Sequence, residues 1–258
     1  MLMVHIFDYD KFISSLPIKK TDSLLVNSNF LKLMISAKKK GKKFDQNRLI
    51  DSFCDFLGNK GTLIIPSFSW EFCKNGFFDK KKTKSITGSF ANTALNRKDF
   101  KRTLNPVYSF LVYGKDQKYL CSLKHHDSFG LNSPFGYLIK KKAKNLFIDI
   151  DYRDSFTFVH VAEQVIGIDY RYKKKFEGTY LYKNNRKKIS TIIYSRKIET
   201  GVKGTKFSKK FDNILIKNNA LIKNKKFGVS VQTIQIDKAF KYMKESLLKK
   251  NNLIFPIY

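Results

Sequence analysis

Arginine is scarce in this chain: only seven of its 51 basic residues are Arg. Specific phosphate recognition favours the bidentate guanidinium fork, so a sequence-specific nucleic-acid reader is not the first expectation. Acidic residues are scarce as well, at 21 Asp and Glu, which leaves a formal net charge of +30. The three cysteines, Cys54, Cys73 and Cys121, are odd in number and widely spaced, without a C-x-x-C pair. That excludes a disulfide framework and a cysteine zinc site, and predicts free thiols in a reducing, cytoplasmic setting. No apolar run approaches the roughly 20 residues that a membrane span needs. The opening Met1 to Asp8 is too short and wrongly flanked for a signal peptide. With five prolines, no internal repeat and no low-complexity linker, one domain over 1–258 is the simplest expectation.

What is present is a large apolar complement, 42% hydrophobic with 24 Phe, enough for a substantial core. The lysines are spread in short runs, at Lys38 to Lys40, Lys80 to Lys82, Lys140 to Lys142, Lys173 to Lys175, and Lys249 with Lys250. Excess Lys, Asn, Ile, Phe and Tyr together is what an AT-rich coding sequence produces, so a solvated lysine surface is preferred. The alternative from another class is a basic nucleic-acid-binding module. It predicts lysines gathered on one face and affinity that falls steeply with salt. In either case the field attracts anions over a Debye length of about 8 Å at physiological salt.

The pattern of elements predicts an α/β fold, a mixed central sheet flanked by helices. Ser23 to Val26 reads as a buried strand closing on the polar turn Asn27-Ser28-Asn29. Asp45 is placed as the N-cap of a helix carrying Leu49, Ile50, Phe53, Phe56 and Leu57, with Gly58 as its stop. Thr62 to Pro66 and Leu146 to Ile150 read as strands covered on both faces. A helix is expected from about Ser155 through Val165. Thr179 to Tyr182 and Ile189 to Arg196, separated by Asn184-Asn185, read as a hairpin. Val229 to Ile236 is extended, and Asp237 is placed as the cap of a helix with Ala239, Phe240, Met243 and Leu247 on one face.

Five short segments stand out in order: Gly61 to Trp70 (GTLIIPSFSW), Ser85 to Gly88 (SITG), Arg102 to Ser109 (RTLNPVYS), Phe129 to Phe135 (FGLNSPF) and Thr157 to Glu163 (TFVHVAE). The chain has four histidines, and His160 alone has such a context. One helical turn separates it from Thr157, which puts both on one helix face. An imidazole titrates near neutrality and suits a general base. Small hydroxyl residues and a glycine before a helix, as at Ser85, Thr87 and Gly88, leave backbone N–H groups open to a phosphate.

Together these segments resemble the aminoglycoside 3-N-acetyltransferase (antibiotic N-acetyltransferase) family, over roughly residues 20 to 240. The resemblance implies acyl transfer from a coenzyme A thioester, acetyl or another short acyl group, to an amine, with no metal. It implies His160 as the base on a Thr-x-x-His-x-Ala-Glu helix, with Thr157 and Glu163 in register and Ser155 where members often carry Asn. Asp212, in an acidic stretch late in the family pattern, and Glu163, one turn beyond His160, are the candidate carboxylates to orient the imidazole. Asn27 and Ser28, with Ser85, Thr87 and Gly88, are the expected coenzyme contacts. Ser69, Trp70, Asn105 and Tyr108 are the expected acceptor contacts. Many antibiotic-modifying members show His where this chain has Asn105 and Tyr108. Together with the net charge, that departure favours an amino-sugar acceptor linked to a nucleotide and destined for a surface glycan. An aminoglycoside acceptor, conferring resistance, is the alternative. A homodimer is left open, and no nucleophilic role is expected for the cysteines.

Overall fold

Leu24-Leu25-Val26 and Leu63-Ile64-Ile65 are apolar at successive positions, and side chains alternate across a strand, so both faces of their sheet must be covered. The computed structural model, which describes residues 5–258, has that arrangement. Met1 to Val4, part of the segment weighed as a signal peptide, lie outside the described residues. Seven strands form one mixed sheet in the order Leu221–Lys226, Val229–Gln235, Lys144–Ile148, Ser23–Ser28, Thr62–Phe68, Tyr108–Gly114, Lys101–Arg102. The central three are parallel, and the flanking strands run antiparallel to their neighbours. Leu24, Val26, Leu63, Ile65, Leu146 and Ile148 point into one core layer, while Leu25, Ile64 and Phe147 point into the other.

The first layer is closed by the helix Gln46–Leu57, among others, which buries Leu49, Ile50, Phe53 and Leu57 as its spacing predicts. Asp45 caps it by accepting from the Asn47 amide at 2.8 Å. The opposite layer is closed by Val159–Ile166 and Ile236–Lys249, which pack on each other. Arg171–Tyr182 and Asn185–Arg196 form a long hairpin in a separate sheet with Phe77–Asp79. Among the described residues no helix is long and apolar enough to cross a membrane.

Several expectations are corrected here. Asn27 and Ser28 continue the first strand, paired with Phe147 and Ile148, instead of forming a turn. The Lys144–Ile148 strand stops before Asp149, whose φ of 53° leaves the extended region. The helix expected from Ser155 is broken into Tyr152–Ser155 and Val159–Ile166. Residues two apart face opposite sides of a helix, yet Phe156 and Phe158 are both buried with ring centroids 5.4 Å apart. The bend between the two helices lets both enter one core. The hairpin turns at Lys183-Asn184, both with positive φ, and Asn185 already pairs with Tyr182. Its strands reach back to Arg171 through the lysine run that masked them in the sequence. Finally, Gln235 and not Asp237 is the cap of the last long helix, and Asp237 lies in its first turn.

Candidate active site

The C-terminal ends of Ser23–Ser28 and Thr62–Phe68 open onto two connected hollows. A slot of about 220 Å³ is lined by Val26, Asn27, Ser28, Pro66, Thr87 and Phe90, among others. A wider cleft of about 750 Å³ includes Trp70, Tyr108, His160, Arg171, Arg196 and Lys203 in its walls. Ser155 and Thr157 line both, so the two spaces meet at the bend that precedes the Val159–Ile166 helix.

His160 lines the cleft, three residues on from Thr157, with its side chain 24% exposed. Its Nδ1 lies 2.7 Å from Glu163 Oε2, and the Phe129 ring meets the imidazole edge-on at 5.4 Å. Glu163 is fully buried, at 0% exposure, and its carboxylate is surrounded by donors. Oε1 accepts from the Tyr170 hydroxyl at 2.9 Å and from the Thr205 hydroxyl. Arg171 Nε approaches Oε2 at 2.8 Å as an ion pair off the hydrogen-bonding line, and its Nη1 donates to the Tyr194 carbonyl. Burial by itself pushes the Glu163 carboxyl up. His160, Arg171 and Thr205 outweigh it, so the group is held below the usual carboxylate range. An ionised carboxylate only accepts. Nδ1 of His160 is therefore the protonated nitrogen, and in the neutral ring Nε2 carries the lone pair, with no partner among the described residues.

The remaining candidates separate into three groups. Asn27, Ser28 and Thr87 line the slot, and Trp70 and Tyr108 line the cleft with their rings in edge contact at 5.5 Å. Burial pushes the Tyr108 phenol well above its ordinary range, so it stays protonated. Ser85 and Gly88 line neither space. The Ser85 hydroxyl is spent on Phe68 O and Thr87 Oγ1, and Gly88 precedes the helix Ser89–Leu95 at φ 110°, a backbone conformation that suits glycine. Ser69 and Asn105 are buried outside the cleft. Asn105 bridges Ser128, Thr191 and the amides of Val107 and Tyr108, holding the loop that presents Tyr108. Asp212 does not orient His160. It accepts from the Tyr152 hydroxyl and from Lys223 at 2.5 Å, and none of its hydrogen bonds reaches the imidazole.

Sequence reasoning left out Tyr170, Arg171 and Thr205, which fix Glu163, and the cations of the cleft. Arg153, bound to Asp151 at 2.6 Å, lines it together with Arg171 and Arg196. Three of the seven arginines therefore meet there, a signal that arginine scarcity had made available. Asp154 is the one carboxylate in the lining, and it is exposed. Cys73 also lines the cleft, but burial pushes its thiol up to about 11, which keeps it from acting as a nucleophile near neutrality. Among the described residues no group of three or more His, Cys, Asp and Glu could hold a metal.

Residues 26–247 match the profile of the aminoglycoside 3-N-acetyltransferase family. A search of curated proteins returns no sequence match. Among solved structures, sisomicin-bound AAC-VIa superposes with a TM-score of 0.75 at 15% identity, covering 94% of this chain and 97% of that one. AAC-IIIb in binary complex with CoASH gives 0.72 at 15% identity, covering 94% and 95%. The YokD protein from Bacillus subtilis gives 0.72 at 17% identity, covering 95% and 94%.

Proposed function

Because the chain belongs to the aminoglycoside 3-N-acetyltransferase family, we propose that it transfers an acetyl group from coenzyme A to an amine of an aminoglycoside-type amino sugar. The observation that carries this reading is the His160–Glu163 pair, whose imidazole lines the cleft three residues on from Thr157, a residue that lines both slot and cleft. The slot is narrow, walled by Val26, Ile65, Pro66, Phe90 and Ala91, and edged by the polar groups of Asn27, Ser28 and Thr87. Those walls fit a thin, flexible pantetheine arm, and a bound coenzyme A would supply an activated thioester. Nε2 of His160 takes a proton from the neutral acceptor amine as its lone pair attacks the thioester carbonyl. The new C–N bond forms as the C–S bond breaks, the thiolate leaves, and the proton on His160 passes to it or to solvent. Glu163 holds the Nδ1 proton and stabilises the imidazolium as it forms. Thr157, which lines both slot and cleft, offers a hydroxyl to the carbonyl oxygen.

The preference drawn from net charge is reversed at this point. The family match and relatives such as sisomicin-bound AAC-VIa support an aminoglycoside acceptor better than a nucleotide-linked amino sugar. The nucleotide-linked reading keeps one specific observation in its favour: Arg196 and Lys203 line the cleft without an ion-pair partner among the described residues, and a polycation would face them. The test is thiol release from acetyl-coenzyme A with a panel of aminoglycosides and nucleotide-linked amino sugars. Turnover with aminoglycosides only upholds the first reading, turnover with the nucleotide sugars only selects the second, and release independent of any amine contradicts both.

A further inference from the structure

The edge strand Lys101–Arg102 borders a second large hollow, a groove of about 1010 Å³ that shares no lining residue with the slot or the cleft. Five separate stretches of chain build it: the loop after Phe77–Asp79, residues 95–104, Leu111 of the strand Tyr108–Gly114, the helix Gln117–Ser122, and the tip of the long hairpin. Six lysines line it, Lys80, Lys81, Lys98, Lys101, Lys118 and Lys183, and no carboxylate does.

Among the described residues seven of the 44 lysines pair with an acid, as in Lys144 with Asp22 at 2.9 Å and Lys173 with Asp127 at 3.0 Å. None of the six groove lysines makes an ion pair with a described residue. Arg97 in the same wall is neutralised by Asp51 and Asp99, each at 2.7 Å. Arg102 is different. Its buried guanidinium donates to the Thr83 and Ser67 carbonyls and the Ser109 hydroxyl, and no described carboxylate forms an ion pair with it, although Asp79 is near enough to act on its charge. The Lys80 ammonium is pushed below its ordinary range by burial, and the charges of Arg102 and Lys101 add to the shift. Like charges gathered in one concavity repel one another, and a bound polyanion relieves that repulsion.

We propose that this groove binds the sugar–phosphate backbone of a single-stranded nucleic acid without sequence preference. A concave track of point charges admits a single strand, whereas reading a duplex needs an element that protrudes into the DNA groove. Lysine supplies charge without the planar fork that reads base edges. Tyr182 at the mouth has Lys80 at 4.6 Å and Lys183 at 5.7 Å from its ring centroid. The aromatic there thus serves to hold cations, and affinity comes from phosphate.

The experiment is fluorescence anisotropy of a labelled oligothymidylate of about 20 nucleotides, titrated at several salt concentrations between about 50 and 200 mM. Wild type is compared with the triple variant Lys98→Gln, Lys101→Gln, Lys118→Gln, all at exposed positions, so the fold is left alone. The charge-matched control is Lys209→Gln, Lys210→Gln, Lys249→Gln, also exposed and outside the groove. Each phosphate contact on a single strand contributes about 0.7 to the slope of log K against log salt. The groove variant is expected to lose about tenfold or more in affinity and about 2 units of slope, the control far less. Lys80→Gln with Lys183→Gln provides a second groove variant expected to behave alike, and unfolding midpoints verify that each protein is folded. Equal losses in groove and control variants, no binding at the lowest salt, or displacement of the oligonucleotide by a much lower charge concentration of inorganic polyphosphate would each overturn the proposal.

Discussion

Glu163→Gln removes one charge and leaves shape almost unchanged, and its consequences can be worked through atom by atom. Four groups converge on the carboxylate: His160 donates to Oε2, Tyr170 and Thr205 donate to Oε1, and the Arg171 guanidinium supplies a counter-charge beside Oε2. A carboxamide has one accepting oxygen and one donating nitrogen. If its NH2 faces Arg171 and His160, the imidazole must accept at Nδ1, which moves the neutral ring's proton to Nε2 and removes the base. If the NH2 turns the other way, it meets two hydroxyls and leaves Arg171, whose side chain is 7% exposed, without a counter-charge. Breaking a buried ion pair by removing one partner costs about 3–5 kcal/mol. At about 2–4 °C per kcal/mol for a chain of this size, the midpoint falls by about 6–20 °C. Loss of the correct tautomer lowers kcat by about 10²–10⁴. Circular dichroism melts give the first number, and thiol release at a temperature where the variant is folded gives the second. The pH dependence adds a sign. A carboxyl held low in the folded state contributes its stability in full above its unfolded value of about 4.3, and loses it as pH falls through the folded value. The acid limb of the wild-type stability curve is therefore steeper than that of the variant. An unchanged midpoint together with an unchanged kcat would refute the reasoning.

Other positions give sharper contrasts. Asp212→Asn lowers the unfolding midpoint, because Tyr152 and Lys223 lose their shared acceptor, but leaves kcat within about threefold, as measured by thiol release below the midpoint. Gly88→Ala finds open space for its Cβ and still costs about 1–2 kcal/mol in a urea melt, because its φ of 110° strains any L side chain. Cys73 alkylates slowly with iodoacetamide at neutral pH, and its rate, followed by peptide mass spectrometry, rises about tenfold per pH unit until the thiol titrates near about 11.

The continuous apolar stretch at Thr62 to Pro66 and the capped amphipathic helix after Asp45 were legible because local pattern and burial agree there. The spacing of three along a helix made Glu163 one of two candidate partners for His160, with Asp212 the other, and the structure brings Glu163 to 2.7 Å from the imidazole. Asp212 was assigned to the site because it is acidic in a late segment of the family pattern, and sequence order carries no information about the Tyr152 hydroxyl that claims it. Asn105 looked like an acceptor contact for a similar reason. Its amide instead satisfies four buried partners that come together only in the folded chain. The break at residues 156–158 came from two phenylalanines competing for one core, a tertiary demand that overrides helical periodicity. Arg171 and Thr205 reach Glu163 from the long hairpin and from the strand Gly204–Phe207, and only the packing brings them there.

The central claim, that His160 is the base of an acetyl transfer to an amine, is tested most directly by thiol release from acetyl-coenzyme A in wild type and His160→Ala. Release is expected to require an amine and to fall by at least about 10² in the variant, while the variant still binds coenzyme A in calorimetry. Release that continues at the wild-type rate in His160→Ala would contradict it.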